Sequence, residues 1–252
     1  MKFSELKGWS TPRGNVTKLA IDGVTVWEKS KTVGSLAVGS SVFLNENGTR
    51  TEFYVAHQGL PSSAYDSSCN GTWLLRKYPP FRYKWGESED SYADSDIHAY
   101  LNGTYLNTFD SGIKSLIKQA KIPSAKNNFV EYEDDYGDIS TENRPYLSSV
   151  SAKIFLLSSA EVGRFVDGIG QMSEGSLLDL FNGTGNAYLI AYVGYNPARW
   201  SLRSLREDYW YHESISPYGV GTYDSLSDSV YVRPAMILPS SAHIDENFNV
   251  LA

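Results

Sequence analysis

No apolar run in this chain is long. Hydrophobic residues come a few at a time, broken by Gly, Asn and Ser, and this limits the fold more than any other feature. Runs this short do not reach the length needed to cross a bilayer, whereas short apolar segments between turn residues are the usual signature of strands. Eighteen tyrosines and an aromatic content of 13% point the same way. The chain is therefore expected to be strand-rich α+β.

Turn chemistry locates the first elements. In Val16–Trp27, Asp22-Gly23 joins two alternating strands, and a two-residue loop would set Ile21 opposite Val24 and Leu19 opposite Val26. All four would then share one apolar face, which a lone hairpin must cover with the main domain or a partner chain. The polar stretch Glu28–Thr32 reads as a boundary. It divides a hairpin and linker (1–33) from a main domain (34–252), itself expected to open with a second hairpin of Ser41–Leu44 and Glu52–Ala56 turning around Asn45-Glu46-Asn47-Gly48. Helical spacing appears at Ile97, Tyr100 and Leu101, then at Ile113, Leu116, Ile117 and Ala120 with Asp110 as cap. Ser158 and Glu161 stand at capping-box spacing after the strand Lys153–Leu157 and before Val162 and Phe165. In the last third, Ala187–Val193, Trp200–Ser204 and Val230–Leu238 read as strands.

Charge and cysteine usage exclude several functions. A formal charge of −7 opposes a surface built to neutralise phosphates or anionic lipid, so neither nucleic acid nor membrane insertion is expected. Cys69, the single cysteine, rules out an internal disulfide framework and a cysteine-built zinc site, and it reads as a small buried residue. Met1–Gly8 has no apolar secretory stretch, so the chain is expected to start out cytoplasmic, as a virion component does, with an extracellular or cell-surface location as the other reading. Asn47-Gly48-Thr49, Asn70-Gly71-Thr72, Asn102-Gly103-Thr104 and Asn182-Gly183-Thr184 satisfy the glycosylation pattern but read as Asn-Gly turns.

Several segments taken together carry a resemblance: Tyr65–Leu75, Ile97–Asn102, Lys153–Ser158 and, above all, Trp200-Ser201-Leu202-Arg203-Ser204 followed by Val232-Arg233-Pro234-Ala235. From about 34 to 250 the chain resembles an uncharacterised domain family of Gram-positive gut bacteria and their phages, one associated with the C-type-lectin and formylglycine-generating-enzyme type of fold. Relatives in that fold include the hypervariable targets of diversity-generating retroelements. The resemblance implies a C-type-lectin-like domain whose ligand face lies between the two closing motifs. Ser201 stands where family members often carry a second aromatic. Asn15–Trp27 resembles a short module of phage and prophage tail proteins, which implies docking to tail or baseplate proteins through the N-terminal hairpin. A homotrimer is expected because receptor-binding tail proteins commonly form one.

The residues between the motifs have a binding chemistry of their own. Ten of the 27 residues from Leu205 to Tyr231 are Tyr or Ser, which supply stiff contact area and adaptable hydrogen bonds. Candidate ligand-binding residues are Tyr195, Arg206, Glu207, Asp208, Tyr209, Trp210, Tyr211, His212, Glu213, Ser214, Ser216, Tyr218, Tyr223 and Asp224. Of these, Tyr209, Tyr211, His212, Tyr218 and Tyr223 are expected at the surface. Ile215, Val220, Leu226, Val230 and Tyr231 are expected in the core. Arg203 and Arg233 read as framework residues and Trp200 as core. The expected ligand is a host-surface protein or glycan.

No catalytic residue and no metal site is assigned. The four histidines His57, His98, His212 and His243 lack ligand spacing, and no phosphate-cradling loop or nucleophile elbow is present. Glu131–Asp138 offers oxygen ligands for calcium but does not match the helix-loop pattern and reads as a solvated loop. No cofactor is expected. Two other functions stay open: a glycan hydrolase using a carboxylate pair, and a structural baseplate component without receptor contact.

Overall fold

A computed structural model describes residues 18–21, 24–28, 31–86, 91–133, 139–143, 146–165, 174–206 and 210–252. It is α+β, with many short strands and few short helices. Two five-stranded sheets organise it. Sheet I runs Ile154–Phe155, Ala235–Leu238, Gly71–Arg76, Thr49–Gly59, Ser41–Glu46, and sheet II runs Gly221–Ser225, Tyr211–Ile215, Trp200–Leu205, Ser229–Val232, Phe81–Lys84. All pairings are antiparallel except Trp200–Leu205 with Ser229–Val232.

The expected strand Val230–Leu238 is divided between the sheets. Ser229–Val232 belongs to sheet II and Ala235–Leu238 to sheet I, with Arg233-Pro234 at the crossing. Proline has no N–H to continue a ladder, so the break falls there. Gly71–Arg76 and Phe81–Lys84 make the same passage alongside, past Pro79-Pro80, and pair with the other ribbon in both sheets. The Arg76 N–H donates to the Pro234 carbonyl at 2.9 Å, closing the seam.

Other expectations meet mixed outcomes. The Ser41–Glu46 and Thr49–Gly59 hairpin turns at Asn47-Gly48, both at positive φ (51° and 74°), as a primed turn requires. Asn70-Gly71 is not a turn: Gly71 opens a strand where a Cβ would collide with the Leu238 carbonyl. Asn102-Gly103 lies in a π-helical turn, Leu101–Tyr105, where the Asn102 side chain bridges to Lys153 and Ile154. In the N-terminal hairpin Ile21 faces Val24 as expected, but Leu19 faces Trp27, because a register shift leaves Val26 as the extra residue. Lys31–Thr32, on the linker side of the expected boundary, pairs with His243–Ile244.

Helices Asp96–Tyr100, Ser111–Leu116 and Ser159–Val162 occupy the expected places. Asp110 accepts from the Ile113 N–H, and Ser158 and Glu161 form a reciprocal capping box. Ala120 and Phe165 lie outside their helices. The former opens the strand Ala120–Lys126, and the latter is exposed beyond a left-handed Gly163 cap. Ala187–Val193 is strand only from Ala191, which pairs with Ala198 in a small hairpin of Ala191–Val193 and Asn196–Ala198.

The core draws on both sheets, with Phe53, Trp73 and Ile237 from sheet I and Trp200, Leu202 and Val232 from sheet II. Trp73 packs edge-on to Tyr65 and Phe155, each at 5.5 Å, and donates to the Cys69 carbonyl. Cys69 is buried as expected, and burial pushes its thiol up to about 11. No helix among the described residues is long and apolar enough to cross a membrane.

Candidate ligand-binding site

The strand Trp200–Leu205 is buried from Trp200 through Ser204, so its polar residues must find partners inside. Arg203 does so completely. Its Nη1 and Nη2 meet Glu161 Oε2 and Oε1 at 2.6 and 2.8 Å, and the other donors reach the carbonyls of Leu156, Glu174 and Pro123. All five guanidinium donors are used. Tyr65 donates to Glu161 Oε1 at 2.8 Å and accepts from the Ser176 N–H. The Glu161 charge holds Arg203 protonated despite burial, and burial raises the Glu174 carboxyl against the lowering effect of Arg203. Arg233 donates to the Arg76 and Tyr188 carbonyls and lies over the Trp200 ring at 5.1 Å, and burial lowers its pKa to about 10. Arg203, Arg233 and Trp200 are thus framework residues, as expected.

The next strand corrects the expected exposure. Tyr211–Ile215 is an inner strand of sheet II, and His212, expected at the surface, is buried together with the candidates Glu213 and Ser214, so both faces of the strand are covered there. His212 stacks on Trp85 (centroids 5.1 Å, 23°) and its Nε2 lies 3.2 Å from Ser201 Oγ. Burial takes its pKa down to about 4, against the opposing pull of Asp224 and Asp228, so the ring is neutral at pH 7. Ser214 donates to Asp224 Oδ2 at 2.6 Å, and Arg199 Nη1 meets Asp224 Oδ1 at 2.5 Å, which also draws Asp224 inward. Ser216 is a turn residue, its hydroxyl accepting from the Tyr218 and Val220 N–H groups.

Tyr195, Trp210, Tyr218 and Tyr223 stay outward, whereas Arg206 and Tyr211, the latter expected at the surface, are half-buried. Along the hairpin of Tyr211–Ile215 and Gly221–Ser225, Trp210 is 63% exposed at one end, Tyr218 77% at the turn, and Tyr223 45% between them. Tyr223 is braced by Tyr211 edge-on at 5.2 Å and by the Arg206 guanidinium 4.1 Å over its ring. Tyr195, at the tip of the small Ala191–Ala198 hairpin, is 99% exposed. Val220, expected in the core, is also exposed, whereas Ile215, Leu226 and Val230 are buried and Tyr231 is half-buried. The turn backbone is held from behind: Asn186 Nδ2 donates to the Tyr218 carbonyl at 2.9 Å and Arg164 Nε to the Gly219 carbonyl at 3.3 Å. Glu207, Asp208 and Tyr209 lie outside the described residues.

A cleft of about 490 Å³ opens between the small hairpin and sheet II, with Arg82, Asn196, Arg199, Asp224, Asp228 and Tyr231 in its wall. Only Asp224 of these was a candidate from the sequence. Arg82 and Tyr231 come from adjacent strands, Arg199 follows the small hairpin, and Asp228 lies in the 226–228 turn. The alternation of Phe81-Arg82-Tyr83-Lys84 marks Arg82 as outward, but nothing in the order of residues ties it to Arg199, more than a hundred positions later.

No group of three or more His, Cys, Asp or Glu placed to hold a metal occurs among the described residues. Glu131 and Glu133 are exposed on the strand Phe129–Glu133, and 134–138 lie outside the described residues. No curated protein and no solved structure matches the chain. A family model described as Domain of unknown function (DUF6273) matches residues 70–240, about two-thirds of the chain, and the protein therefore belongs to that family.

Proposed function

We propose that this protein recognises a ligand without transforming it, as the receptor-binding component of a phage or prophage-derived tail. On this reading a C-type-lectin-like framework presents the loop face between the Trp200–Ser204 and Val232–Ala235 motifs to a host-surface protein or glycan. The N-terminal hairpin docks to the tail, the assembly is a homotrimer, and the location is the virion. A retroelement could diversify the same face.

The observation that carries the recognition reading is the strip of Trp210, Tyr223 and Tyr218, exposed as side chains yet pinned as backbone. Large aromatics held in place before contact lose little entropy on binding and are the residue types found at interface hot spots. The tail assignment is supported by the resemblance of Asn15–Trp27.

The test is attachment of assembled particles to host cells with Trp210, Tyr218 and Tyr223 each replaced by alanine. Loss of attachment with assembly intact is expected. Retained attachment would favour a structural tail component, and release of soluble product from host polysaccharide would favour a glycan hydrolase.

A further inference from the structure

We propose that the cleft between the small Ala191–Ala198 hairpin and sheet II seats one uncharged sugar unit of a host polysaccharide. The inference rests on the recognition reading above and gives it a ligand class, at a cleft lined by none of Trp210, Tyr218 and Tyr223.

The wall is built before any ligand arrives. Asp224, more than nine-tenths buried, has one oxygen on Arg199 and the other on Ser214. It thereby holds the Arg199 guanidinium at the rim, with donors left over. Arg82 is anchored by the Ser229 carbonyl through Nε at 2.9 Å and lies 5.4 Å from the Tyr231 ring centroid. Asp228 and Asn196 complete the polar wall, and both are exposed. Its volume falls within the span of small-molecule sites, roughly 300–1,000 Å³.

Charge decides the class. Two guanidiniums and two carboxylates balance in the wall, while the whole chain carries −7. A polyanion meets the carboxylates locally and the net charge at long range. A cation meets the guanidiniums. An apolar ligand would strip water from the three exposed charged groups, Arg82, Arg199 and Asp228, and give nothing back. Vicinal hydroxyls suit this wall, because each can donate to a carboxylate and accept from a guanidinium, and the Asn196 amide offers both roles. The C–H side of a sugar ring can lie against Val193 and Pro197, which line the same cleft.

The experiment titrates the purified full chain with glucose, galactose, rhamnose and N-acetylglucosamine by ligand-observed NMR, with inorganic phosphate and choline as charged comparators. Saturable binding of at least one sugar is expected, on the order of millimolar for a single unit. It should weaken about tenfold or more in Asp228→Ala and Arg82→Ala, each of which removes a charged partner from an exposed position. Asn196→Trp, which fills the cleft from an exposed site, should abolish it. The inference is overturned if none of the four sugars binds, if Asp228→Ala and Arg82→Ala both bind as tightly as the parent, or if phosphate or choline binds more tightly than every sugar. Sugar binding in the cleft together with full host attachment by the Trp210 and Tyr218 variants would sink the aromatic-strip reading alone. Loss of attachment in those variants with no sugar bound would sink the cleft alone.

Discussion

Arg203 and Arg206 stand three residues apart and have different surroundings. Arg203 is enclosed, and each of its donors ends on Glu161 or a main-chain carbonyl. Arg206, just past the end of the same strand, is half-buried and lies over the ring of Tyr223, which is 45% exposed. The first region holds polar groups in so that the strand can be covered on both sides. The second holds backbone in so that side chains can stay out. The number of strands and loops packed over a position, more than the residue type, decides which use a polar or aromatic side chain serves.

The sharpest way to break this comparison is at its enclosed end. Arg203→Met leaves Glu161 buried without its cation and is expected to destabilise the fold by about 3–5 kcal/mol in urea titration. A loss below about 1 kcal/mol would mean that the buried ion pair is not the framework element described.

His212 tests the same boundary through pH. The unfolded chain takes up a proton near its ordinary value of about 6.5, whereas the folded protein resists until about 4. Stability should therefore fall as pH drops across that window, by up to about 3 kcal/mol from this one group. Glu174, with its raised carboxyl, acts in the opposite direction. The readout is accordingly the difference in slope between the parent and His212→Asn, and equal slopes would contradict the burial of His212.

At the open end, Trp210→Ala and Tyr218→Ala should change folding stability by no more than about 0.5 kcal/mol while costing about 2 kcal/mol of host binding, roughly thirtyfold. Unfolding midpoints and particle attachment measure the two separately. A large stability loss with no binding loss would move the strip from recognition to packing. The smallest effect belongs to the turn behind it. Gly219 has φ 76°, and a Cβ there would lie 2.9 Å from Asn186. Gly219→Ala should destabilise by about 1 kcal/mol or somewhat more and weaken attachment by loosening Tyr218.

The local order of residues was enough wherever the cause of an element is itself local. Asn47-Gly48 turns the Ser41–Gly59 ribbon because both positions need positive φ. Ser158 and Glu161 cap a helix three residues apart because their reach is three residues. The short apolar runs marked an α+β chain, and Arg203 and Arg233 read as framework because they lie inside the two closing motifs that carry the resemblance. Tertiary structure alone decided what depends on cover. His212 looks like surface until Trp85 is laid over its ring and both faces of its strand are covered, and Val220 looks like core until its turn is seen to project. The cleft draws Arg82, Asn196, Arg199 and Asp228 from separate stretches of chain, and contacts between positions so far apart in sequence leave no period or spacing by which to find them.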